Sequence, residues 1–147
     1  MSHKHFEESL NQLIPKHLDD VLRKNRNQMR LALATSEEIQ ELAADVPETH
    51  IRHSLSRWQF VVMHVTNGAS PAKSVRLFGW ADDIGESWST SNVTGIDLSR
   101  GLVRTANSTY ALAGPRATEE QLDLLHVCAS LHQWRLGEHF GVPHIFY

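Results

Sequence analysis

The sequence predicts an α+β fold with N-terminal helices, a four- to five-stranded antiparallel sheet able to curl into a small barrel, and a C-terminal helix packed on that sheet. Three observations lead there. Val93–Leu112 reads as a hairpin: Ile96 and Leu98 flank Asp97, Ser99-Arg100-Gly101 turns, and Leu102, Val103, Thr105, Tyr110 and Leu112 supply the return strand. At Trp58 the apolar spacing changes from helical offsets to alternation, with Trp58, Phe60 and Val62 on one face and Val61, Met63 and Val65 on the other. Apolar groups on both faces mark a strand covered on two sides. Thr35-Ser36-Glu37-Glu38 and Thr118-Glu119-Glu120-Gln121 each have the spacing of a capping box, a hydroxyl followed three residues later by a side chain that can reach back.

Taken in order, Phe6, Leu10, Leu13 and Ile14 share a helical stripe that Pro15 interrupts. A second helix then follows Pro15, with Leu18, Leu22, Met29 and Leu33 on its apolar side. A third starts at Thr35 and buries Ile39, Leu42, Ala43 and Val46, and a short helical turn after Pro47 places Ile51 and Leu55 together. Strands follow at Trp58–Val65 and Val75–Trp80, then an acidic loop over Asp82, Asp83 and Glu86, then the hairpin up to Gly114-Pro115. The last helix carries Leu124, Cys128 and Leu131 in line, widened by Leu125, Ala129 and Leu136, and frays near Gly137. Beyond it the apolar tail is expected to dock. The expected organisation is a single domain over 1–147, divided into a helical part (1–57), the sheet (58–115), and the C-terminal helix with its docked tail (116–147).

Composition limits the function. At 147 residues the chain can bury a real core. With 14 Lys and Arg against 17 Asp and Glu, its net charge of −3 is far from that of a uniformly basic nucleic-acid binder, so recognition must rest on a local patch. The single cysteine excludes an internal disulfide and any site needing two thiolates, which fits a reducing compartment. No run is apolar enough to span a bilayer, and the first residues lack the order of a signal peptide, so the expected location is cytoplasmic, with no membrane partner.

Four constellations invite chemistry. Arg23, Lys24, Arg26 and Arg30, on the expected second helix, could grip nucleic-acid phosphates, although cations on an amphipathic helix are first a solvated face. His132, His139 and His144 are candidates for a histidine-ligated metal, but His132 and His139 align only if the helix continues past Gly137. His50 and His53 read as a surface pair, and Cys128, on the apolar line, as a small core residue. No nucleophile, phosphate loop or ordered cation loop stands out, so no catalytic residue and no cofactor is assigned. That leaves Trp80, Asp82, Asp83, Glu86 and Trp88, a polar loop between two tryptophans with the anchor-and-rim makeup of a protein interface.

Leu77-Phe78-Gly79-Trp80, Ser89-Thr90-Ser91, Val93, Ile96-Asp97, Gly101, Val103-Arg104-Thr105, Ser108, Tyr110, Leu112 and Gly114-Pro115 form a pattern that resembles short uncharacterised proteins of proteobacterial phages and plasmids. The resemblance covers the sheet region, and no functional residue is carried over from it. It implies an accessory protein of a mobile genetic element, a class that includes inhibitors of host defence such as anti-CRISPR proteins. The expectation is therefore a non-enzymatic protein that binds and inhibits or modulates a larger host protein complex, such as a defence nuclease, through the tryptophan-flanked loop. A nucleic-acid-binding regulator and a histidine-ligated metal enzyme are the alternatives. The amphipathic N-terminal segments would also suit a homodimer.

Overall fold

The computed structural model describes residues 14–66, 72–117 and 119–144. Its architecture is α+β: one mixed six-stranded sheet with a C-terminal helix on its outer face. The strands are β1 (Met29–Leu33), β2 (Ile51–Val65), β3 (Ala72–Ala81), β4 (Glu86–Asp97), β5 (Leu102–Thr105) and β6 (Thr109–Leu112), and the helices are α1 (Ser36–Glu41) and α2 (Leu124–Gln133). They follow one another in space as a meander, and the sheet then curls until β6 meets the first part of β2 in parallel, Ile51 beside Thr109 and Leu55 beside Leu112. It is not a clean barrel. β1 continues the sheet beside the second half of β2, and the β4–β5 pairing begins only at Val93, leaving the first half of β4 joined to β3 alone among the described residues.

The long strand β2 divides two cores. Leu55, Trp58, Phe60 and Val62 face the cluster inside the curl, with Leu77, Val93, Ile96, Val103 and Tyr110. Val61 and Met63 face outward into a second cluster, closed by Leu18, Val21 and Leu22 from the N-terminal side and by Val127, Cys128, Leu131, Phe140 and Val142 from the C-terminal side. The two-faced apolar pattern starting at Trp58 is thus matched by burial on both sides. Leu55 and Trp58 both point inward although three positions apart, because Arg57 and Trp58 together oppose the single residue Gly79 in a β-bulge. Arg57 takes a left-handed φ of 51° there, and Gly79 has no room for a Cβ, which would stand 3.0 Å from the Ser56 carbonyl oxygen.

Several expected helices are not helices. The segment after Pro15 contains only two 3-10 turns, Leu18–Asp20 and Arg26–Gln28, and then β1; the stripe over 6–14 lies almost wholly outside the described residues. Met29, Leu31 and Leu33 alternate, and β1 places Met29 opposite Val65 and Leu33 opposite Val61. The helical turn expected after Pro47 does not form: the Thr49 amide donates to the Pro47 carbonyl at 2.9 Å, His50 takes a left-handed φ of 48°, and β2 begins at Ile51. The capping box at Thr35 is present: the Glu38 amide donates to Thr35 Oγ1 at 3.1 Å and the Thr35 amide to Glu38 Oε1 at 3.0 Å. No helix starts at the second box: residues 119–123 are not helical. Thr118 lies outside the described residues, Glu120 accepts the Leu18 amide at 2.6 Å, and α2 starts later, with Asp123 as its N-cap.

The central hairpin turns through Leu98–Gly101, with Gly101 at φ 64°. Its return strand, expected as one piece, is two. Thr105 Oγ1 accepts the amides of Asn107 and Ser108, making a tight turn that redirects the chain into β6. That redirection brings the sheet back to β2.

Candidate functional site

The turn between β3 and β4 is four residues long, Asp82 to Gly85, and closes on the Ala81–Glu86 pair, with Gly85 at φ 65° donating its amide to the Ala81 carbonyl. It folds back against the start of β2. Ser56 Oγ donates to Asp82 Oδ1 at 2.9 Å, and the Asp82 amide reaches the Ser54 carbonyl at 3.2 Å. His53 Nδ1 lies 2.6 Å from Asp83 Oδ2, and this hydrogen bond holds the Asp83 carboxyl below its ordinary range. Two acidic side chains of the turn are thereby engaged from beneath, while Trp80 and Ile84 stay open to solvent at 40% and 45% exposure.

Trp80 and Trp88 have different roles because they point to opposite faces of the β3–β4 ladder. Trp80 pairs with Ser87 and faces outward; Trp88 pairs with Gly79 and faces the inside of the curl. There Trp88 Nε1 donates to the Tyr110 hydroxyl at 3.2 Å, its ring meets that of His53 edge-on at 4.3 Å, and the Arg52 guanidinium sits 5.0 Å from its centre. Trp88 is therefore a structural plug where the sheet is incompletely closed. Trp80 is the exposed one of the two.

Beside Trp80 a groove of about 820 Å³ runs along β4. Ser87 and Ser89 form part of its floor, and the first turns of α2 form one wall. Ser87 Oγ donates to Asp123 Oδ2 at 2.8 Å, and Ser89 and Ser130 share a hydrogen bond at 2.9 Å, so two serines of β4 hold the helix in place. His126 lines the groove, its Nε2 is buried, and no hydrogen-bond partner meets that atom among the described residues. Burial holds this imidazole below its ordinary pKa, and the nearby Asp123 and Glu86 charges oppose the shift. Glu86 itself is exposed at the mouth.

The structure thus brings Trp80, Asp82, Asp83 and Glu86 onto one surface and places Trp88 behind it. His53, Ser56, Asp123 and His126 brace or complete that surface, a role the sequence does not assign to them; it reads His53 only as a surface pair with His50. For Asp123 a signal existed, since an Asp directly before the apolar run at Leu124 is a favoured N-cap. The pairing of His53 with Asp83 arises only because β2 and the turn meet in three dimensions.

The other candidate groups are dispersed. Arg23, Lys24, Arg26 and Arg30 do not share a helical face: Arg23 pairs with Asp20 at 3.5 Å, Arg26 donates to the Asp19 carbonyl, and Arg30 makes a two-pronged contact with Glu38 on β1's far side. Lys24 packs its methylenes where a Cβ on Gly141 would stand. Of the histidines, His132 and His144 stack with ring centres 3.9 Å apart, whereas His139 turns to Gln28 Oε1 at 2.6 Å. Among the described residues no three His, Cys, Asp or Glu side chains are grouped to hold a metal. Cys128 is fully buried, and burial pushes its thiol up to about 11. Comparison with protein families, with characterised proteins and with solved structures found no match.

Proposed function

We propose that this chain is a non-enzymatic binding protein that inhibits or modulates a larger protein complex, with the β3–β4 turn as its contact surface. A defence nuclease of a bacterial host is the target class that the sequence resemblance to phage and plasmid proteins implies. The observation that carries the reading is the exposure of Trp80 and Ile84 on a turn held rigid by the Ser56–Asp82 and His53–Asp83 hydrogen bonds. Large apolar side chains rimmed by carboxylates and pre-organised in the free protein are what interface hot spots require, since little further ordering is lost on binding.

The test uses immobilised full-length protein and nuclease-treated bacterial lysate. Trp80→Ala combined with Ile84→Asp alters exposed positions and leaves the Trp88 plug intact, so far-UV dichroism should remain native. Removing a central aromatic anchor costs on the order of 2 kcal/mol or more, a loss of about 30-fold in affinity. A partner captured equally by the wild type and by this variant would refute the assignment of the surface.

A further inference from the structure

The open side of β4 deepens the reading of the β3–β4 turn as a contact surface, and the binding mode it supports rests on that reading. In an antiparallel ladder alternate residues direct both their amide and their carbonyl toward one neighbour, so a strand paired on one side presents a row of unused backbone groups on the other. Among the described residues β4 is in that condition over Glu86–Ser91: β3 pairs with it from Glu86 to Asn92, β5 joins only at Val93, and only the Thr90 and Ser91 carbonyls are met by side chains, those of Arg76 and of Thr90 itself. The outward side chains ahead of the bulge that follows Ser89 are Ser87 and Ser89, both small and both tied to α2, through Asp123 and Ser130. The groove follows the same edge, walled by α2 on one side and reaching Arg52 on the other. It also holds the buried His126 Nε2 that no described group satisfies, a polar atom left for a ligand to meet.

We propose that the partner is engaged by strand addition: an extended, basic segment pairs with the free edge of β4 over Glu86–Ser91 and directs a Lys or Arg side chain to Trp80 and Glu86. A strand added there lies about 10 Å, two strand spacings, from β3, a distance that a long basic side chain from the added strand and the Trp80 indole from β3 bridge together. Charge selects the sign. Glu86 and Asp123 line the groove and Asp82 and Asp83 lie on the adjoining turn, four carboxylates against two cations, Arg52 over the Trp88 ring and Arg57 beside Trp80. The exposed face of Trp80 favours a cation further.

The experiment selects binders from a random nonapeptide library displayed on phage against the full-length protein, then resynthesises them for titration and hydrogen exchange. Strand addition predicts sequences with Lys or Arg at alternate positions, protection on binding of those alternate amides of Glu86–Ser91 that point away from β3, at least tenfold weaker binding when alternate peptide amides are N-methylated, and about fivefold weaker binding to Glu86→Lys. Failure to recover binders, protection elsewhere, or indifference to N-methylation overturns it. So does protection, in the free protein, of the amides in this stretch that point away from β3, which would mean that another part of the chain, or a second copy if protection fades on dilution, already covers the edge. Capture of a lysate partner that depends on Trp80 without protection at β4 removes strand addition and leaves the binding surface standing. Peptides that protect β4 beside a lysate partner indifferent to Trp80→Ala and Ile84→Asp do the reverse.

Discussion

Replacing Glu38 with Gln should remove a defined share of the stability of this protein and a defined part of its pH dependence. Glu38 is buried, yet it carries a charge: Arg30 grips both its oxygens at 3.1 and 3.2 Å, Lys73 reaches Oε2 at 2.8 Å, and the Thr35 amide donates to Oε1. Burial alone would raise its pKa, but these partners together outweigh burial and lower it from 4.5 to about 2. A fall of that size corresponds to about 3.4 kcal/mol at neutral pH. Arg30 and Lys73 are 44% and 39% exposed, so solvent screens part of this and about 2 kcal/mol remains. Because the folded-state pKa is the lower one, that stability is fully present above pH 4.5 and is lost as pH falls toward 2. Glu38→Gln keeps the shape and the carbonyl that caps α1 but not the charge. In urea titrations followed by tryptophan fluorescence, the variant should be about 2 kcal/mol less stable at pH 7, a melting shift of roughly 4–8 °C, and the gap should close between pH 4.5 and pH 2. A variant as stable as the wild type at pH 7, or a gap unchanged at pH 3, would refute the assignment of the charge.

Two further outcomes follow from packing. Cys128 should react with a thiol reagent at pH 8 only as fast as the outer core opens, since its side chain is fully buried and its thiol is raised to about 11; rapid labelling of native protein would contradict this. Gly137→Ala places a Cβ 2.0 Å from His132 Nδ1, so the ring must leave its 2.9 Å contact with the Val142 carbonyl; a loss of about 2 kcal/mol or more by chemical denaturation is expected, and an unchanged midpoint would show that the ring moves freely.

What the sequence disclosed and what it withheld have physical reasons. Thr35 and Glu38 reveal α1 because a capping box is a local device closed within four residues. Trp58–Val65 reveals a two-faced strand because its apolar run is short and rich in aromatic and β-branched residues, which sets it apart from a buried helix. Ile51 and Leu55, by contrast, are four apart, which suits one face of a strand as well as one face of a helix, and the Pro47 signal tips the reading the wrong way. Met29, Leu31 and Leu33 are hidden similarly by the longer helical offsets Leu18, Leu22 and Met29. The tight turn at Asn107-Ser108 was visible as residue types but lay inside a convincing β-run. As for the candidate surface, Trp80, Asp82, Asp83 and Glu86 are neighbours in sequence and so were legible together. The outward and inward roles of Trp80 and Trp88 depend on register, and the α2 wall depends on tertiary packing.

The outer core is built from the two ends of the described chain. Phe140 offers its carbonyl to the amides of Arg23 and Lys24 at 2.8 and 2.9 Å, and Leu18, Val21, Leu22, Phe140 and Val142 close over the outward faces of Val61, Met63 and Phe78. During synthesis the inner cluster, whose residues lie between Ala34 and Tyr110, can assemble as soon as β6 has emerged. Its back must wait for Val142. Throughout that interval the nascent protein carries a finished sheet with one greasy side uncovered, and the window of vulnerability to aggregation is set by the time the ribosome takes to add the last thirty or so residues of that stretch.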